Sequence, residues 1–170
     1  MKTKTRAIIF IIVFITLSSI LAYSSSIQLS QSDAQSLSQG VEGINATVVG
    51  IFENNVQIAL LEFVPGFGPA YGAYSSYDTG LALSALAQYN STVGVSGFVL
   101  FLVLLLTPIF WIEFTCYSLA VEESLAVLIS FKNRDFRSRE WKWLVCSILF
   151  VVATLLVSAR LEVDLINFIK

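Results

Sequence analysis

The chain has 170 residues, 56% hydrophobic and 13% charged, with a formal net charge of −2 and a mean hydropathy of +0.78. Such a composition lies outside that of ordinary soluble domains and marks a one-domain integral membrane protein. Residues 7 to 131 contain no lysine or arginine, which removes the basic face of a nucleic-acid module, and the lack of histidine excludes zinc fingers, haem attachment and Ser-His-Asp or Cys-His catalysis.

A helix needs about 20 apolar residues to cross a hydrocarbon core about 30 Å thick. Ala7 to Tyr23 is such a run, led by Lys2, Lys4 and Arg6. It reads as an uncleaved signal anchor, so residues 1–23 form the first transmembrane helix; Ser24, Ser25 and Ser26 are small enough for the alternative, a cleaved signal peptide. Residues 24–48 are rich in Ser and Gln and read as a flexible extracytoplasmic loop. From residue 49 to 170 the chain reads as a helical membrane domain.

Gly50 to Phe63 mixes Glu53, Asn54, Asn55, Gln57 and Glu62 with apolar residues, which is expensive against lipid. The segment therefore reads as an amphipathic helix that lies in the interface or re-enters within the protein. Pro65, Gly66, Gly68 and Pro69 break it. Ala70 to Gln88 is a span of small residues, Gly72 and Gly80 among them, whose close backbone approach suits the centre of a bundle. Its Tyr71, Tyr74 and Tyr77 share a face expected to pack between helices. Val93 to Phe131 is nearly twice the length that one crossing takes. Pro108 divides it, into Val95 to Leu106 and Ile109 to Phe131. Lys132 to Lys142 holds five of the ten cations and belongs in the cytoplasm by the positive-inside rule, with Trp141 and Trp143 as interfacial aromatics. Trp143 to Val157 is the last span.

An odd number of crossings must separate the first helix from the cytoplasmic basic segment. The expected fold is thus all-α: a polytopic transmembrane bundle of about five crossings plus the amphipathic helix. The amino terminus and residues 132–142 are cytoplasmic, in a cell membrane. The sequon at Asn45 falls outside in this arrangement, and that at Asn90 inside.

Four segments stand out by order and spacing. In Ile51-Phe52-Glu53-Asn54-Asn55-Val56-Gln57-Ile58-Ala59-Leu60, Asn55 follows an apolar-aromatic start and precedes an apolar run. The glycine-rich turn Gly66 to Gly72 leads into Thr79-Gly80-Leu81-Ala82-Leu83-Ser84. Pro108 is followed five residues later by Glu113, and Ala159-Arg160-Leu161-Glu162 ends the last span. Together they resemble the stage II sporulation protein M family, small polytopic membrane proteins of bacteria and archaea, from about residue 50 to the carboxyl terminus. Thr79, Ser84, Ile109 and Phe110 depart from that family's asparagine, glycine, histidine and glycine. The resemblance implies a membrane scaffold for enzymes that remodel the cell wall during engulfment.

The residues singled out for function are Asn55, Pro108, Glu113, Glu123 and Glu162, with Gly66, Gly68, Gly72 and Gly80 for backbone packing. A carboxylate within a span costs about 2.5–3.5 kcal/mol on insertion scales, which something must offset. At helical spacing Glu113, Tyr117, Ala120 and Ser124 form one polar or small stripe with Glu123 beside it. The acids read either as a proton or cation path or as ties between helices, Glu113 with Asn55 or a backbone amide and Glu162 with Arg160 or the interface. Glu122 and Glu123 read as an acidic cluster for a cation or as partners of another helix. The expected function is a non-enzymatic scaffold, with a permease-like transporter subunit working beside a cytoplasmic ATPase as the alternative. No cofactor or metal is expected. The expected partners are the lipid bilayer and other proteins or a second copy in the membrane.

Overall fold

The structure, a computed structural model, describes residues 3–42, 47–89, 95–132 and 138–169. Among these residues it is all-α: α1 (Thr3–Ser25), α2 (Gln31–Glu42), α3 (Val48–Glu62), α4 (Gly68–Tyr89), α5 (Gly97–Leu105), α6 (Pro108–Lys132) and α7 (Ser138–Ile169). Three are long and apolar enough to cross a membrane: α1, α6, and α7 over Trp141–Phe168. The two sequons rest on residues 43–46 and 90–92, which lie outside the described residues apart from Thr47.

Contacts along the helices give their directions. Arg6 meets Glu122 and Phe14 meets Phe114, so α6 runs antiparallel to α1. Ser147 meets Glu123 and Ser158 meets Glu113, so α7 runs antiparallel to α6. Asn55 meets Glu113 and Ser124 meets the carbonyl of Val64, which makes α3 parallel to α6. Gly72 lies beside Leu17 and Gly80 beside Leu21 and Ser24, which makes α4 parallel to α1. Helices α3 and α4 are therefore a hairpin. Its turn, at the level of Ser124, lies toward the Arg6 end of the bundle, and it returns the chain to the Ser25 end. This reverses the direction that alternation along the sequence implied for residues 70–88.

The turn is built by Gly66, which has φ +81°, and by Gly68, where a Cβ would fall on the carbonyl oxygen of Glu62 and within 2.7 Å of Ser124 Oγ. A Cβ at Gly80 would likewise meet the Leu21 carbonyl oxygen at 2.5 Å, so α1 and α4 touch backbone to backbone there. In α4 the small residues Gly72, Ser76, Gly80 and Ser84 recur at four-residue spacing and are buried. That arrangement turns Tyr74 and Tyr77 outward, to 61% and 39% exposure, so the tyrosines do not pack between helices as expected.

Two further expectations are corrected. Residues 24–48 are not all loop: α2 forms where Ser30 and Asp33 make a capping box, the Asp33 N–H donating to Ser30 Oγ and the Ser30 hydroxyl donating to the Asp33 carboxylate at 2.6 Å. Its Ala34 and Ser38 are buried in a helix that packs on α4. The segment Val95 to Leu106 is not a separate crossing. Helix α5 has nine residues, a rise of about 13 Å. It starts with Gly97 against Ser25 and Ser84, and Phe101 lies beside Phe110, so α5 and α6 make one descending leg with an elbow. Pro108, with no N–H to lose, opens α6. Thr107 holds the elbow by donating to the Leu104 carbonyl at 2.7 Å, and the Trp111 indole N–H donates to Leu105 at 2.9 Å.

Helix α6 is the core element. Buried residues make up 61% of its apolar window, against 22% for α1 and 28% for α7. On one side Phe110, Phe114 and Val121 pack with Val13, Leu17, Leu21 and Phe101; on the other Cys116 and Ala120 pack with Ala59, Phe63, Val151 and Leu155.

Candidate functional site

Three sets of polar side chains occupy this apolar framework. Toward the Ser25 end, Glu113 Oε1 accepts from Asn55 Nδ2 of α3 at 2.7 Å and from the Ser158 hydroxyl of α7 at 3.0 Å. Asn55 faces inward because α3 buries Ile51, Asn55, Ala59 and Glu62 as one helical stripe. The tie between Glu113 and Asn55 read from the sequence is present, and Ser158 completes it.

Toward the other end, Glu122 and Glu123 are each 2% exposed and meet Arg6 of α1. The guanidinium donates Nε and one terminal nitrogen to the two oxygens of Glu122, at 3.0 and 3.1 Å. It also contacts Glu123, whose Oε1 accepts from Ser147 of α7 at 2.8 Å. The ring of Trp143 lies 5.6 Å from the guanidinium carbon, adding a cation–π contact. Bidentate geometry is what a partly desolvated pair needs to offset the loss of water.

Between these sets lies Glu62, on the last turn of α3 and 1% exposed. Its Oε1 accepts from the Ser75 hydroxyl of α4 at 3.1 Å. Its Oε2 has no hydrogen-bond partner among the described residues. A Cβ at Gly72 would stand 3.4 Å from Oε1, so the glycine makes room for the carboxyl.

Of the residues expected at a site, Asn55 and Glu113 meet each other, and Glu123 joins the Arg6 cluster. Pro108 is exposed at the elbow, and Glu162 stands on α7 one turn beyond Ser158. Arg160 pairs with Asp164 at 3.1 Å rather than with Glu162, the i,i+4 partner being in reach where the i+2 residue points away. Cys116 is buried and Cys146 exposed, and neither forms a disulfide. Arg6 and Glu62 carry more of the polar core than their sequence context indicates. Arg6 reads there as an orientation signal, and Glu62 as one of five polar groups on an amphipathic helix.

An open crevice of about 780 Å³ lies between α1, α6 and α7, lined by Phe10, Ile11, Leu119, Phe150 and the Arg6 cluster. Comparison of the chain with protein families, curated proteins and solved structures returns no match.

Proposed function

We propose that this protein is a non-enzymatic scaffold or assembly component of a membrane complex, as its resemblance to the stage II sporulation protein M family implies. The supporting observation is that both acid clusters close on the chain itself and each ties three helices: α3, α6 and α7 through Glu113, and α1, α6 and α7 through Glu123. Used this way, intramembrane acids make a rigid platform. The chain passes through the bilayer as α1, α3, α4, the broken leg α5–α6, and α7. Those are five passes, with the amino terminus and residues 132–142 in the cytoplasm. Among the described residues, α1, α6 and α7 have the length and apolarity to cross a membrane. The test is what co-purifies in mild detergent. A stable partner set that survives Glu113→Gln and Glu162→Gln supports a scaffold.

The broken leg and the hairpin also favour a second reading, a permease-like subunit, because discontinuous helices are tolerated in membranes where they line a protein cavity. Recovery of a nucleotide-binding subunit in the same purification would put that reading first.

A further inference from the structure

We infer that Glu62 is a proton-binding site: its carboxyl is carried as the neutral acid between α3 and α4 and exchanges its proton by way of the α3–α4 turn. The inference stands apart from both readings above. It begins with a contrast among the three buried acids and the half-buried Glu113. Glu122 and Glu123 meet a guanidinium, and Glu113 receives two donors on one oxygen. Glu62 is buried as deeply as any of them yet receives a single neutral donor, on one oxygen only.

An ionised carboxylate offers about four acceptor sites, and burying it with so little compensation costs far more than neutralising it. The neutral acid is the less costly form: Oε1 serves as the carbonyl that accepts from Ser75, and Oε2 carries the proton, an unpaired buried hydroxyl costing far less than an unpaired buried charge. A metal ion does not fit. Hard divalent cations take about six or more oxygen ligands, whereas Glu62 and Ser75 supply a carboxyl and a hydroxyl, and no metal-holding group of acids occurs among the described residues.

The surroundings leave the proton little competition. Among the described residues, the titratable groups that feel the charge of Glu62 are the phenols of Tyr71 on α4 and Tyr117 on α6. From α7 come the apolar residues Val151 and Leu155, packed on Ala59 and Phe63. The Arg6, Glu122 and Glu123 cluster lies toward the turn and is engaged with itself. The way out is short: Phe63 is buried, but from Val64 to Phe67 the chain is exposed. Gly66, at φ +81°, is the pivot of that exposed turn.

The experiment is infrared difference spectroscopy on the full chain in lipid nanodiscs at neutral pH. Glu62→Gln, which keeps the shape, is expected to remove one protonated-carboxyl carbonyl band, and that band is expected to move on transfer to D2O. Loss of ionised-carboxylate bands instead would overturn the inference. Should that variant not fold, Ser75→Ala is expected to shift the same band without abolishing it, and an unshifted band would overturn the assignment. Gly66→Ala, strained at positive φ, is expected to speed deuterium exchange of the band several-fold; an unchanged rate would overturn the route. Dicyclohexylcarbodiimide is expected to label Glu62 irrespective of sodium, and protection by sodium would replace the proton with a cation.

Discussion

Arg6 stands one turn into an apolar helix, where its guanidinium meets two acids of α6. Removing it leaves Glu122 and Glu123 buried without that partner, a loss of about 3–5 kcal/mol for a broken buried pair. Arg6→Ala is therefore expected to lower the unfolding midpoint in a denaturing-detergent titration. Adding Glu123→Gln to Arg6→Ala is expected to recover part of the loss, the non-additivity reporting direct coupling. Glu113 behaves differently, since its two partners are neutral donors that an amide oxygen satisfies equally well. Glu113→Gln is expected to be nearly silent in the same titration. Asn55→Ala is expected to cost about 1–3 kcal/mol, the range for stripping a partner from a buried polar group.

At the scale of elements, glycine has opposite meanings in α2 and α4. A Cβ at Gly40 would meet nothing within 4 Å, and at Gly80 it would strike the backbone of α1. Gly40→Ala is expected to stabilise by up to about 1 kcal/mol through helix propensity alone. Gly80→Ala is expected to pry α1 from α4 and to lower stability measurably, read as a shift in thermal midpoint. The sequence carried the spans of α1, α6 and α7 and the breaks at Pro65 and Pro108, because run length and the missing proline N–H act locally. It also carried the meeting of Asn55 with Glu113, two polar groups with few alternatives in lipid. It did not carry α2, whose only sign is the box Ser30-Gln31-Ser32-Asp33 inside a polar stretch. Nor did it carry the direction of α4, which depends on Gly72 and Gly80 fitting α1, a fact of packing between distant segments.

For the whole molecule, the proposed five-pass arrangement rests on the hairpin, in which α3 runs parallel to α6 and α4 parallel to α1. In a cysteine-free background, Glu53→Cys and Lys132→Cys are expected to react with impermeant maleimides from opposite sides, Lys132→Cys from the cytoplasm. Reaction of both from one side would refute the five-pass arrangement. The hairpin also bears on biogenesis. Its outer half shows Glu53, Asn54 and Gln57 to the surroundings, so α3 partitions poorly by itself. Asn55 and the Val64 carbonyl find Glu113 and Ser124 only once α6 exists, 58 and 60 residues later in the chain. A nascent chain halted before Gly97 thus holds an anchor on which α4 can pack but an α3 still without its partner, and the order of translation fills the centre of this bundle only after the hairpin beside it has been made.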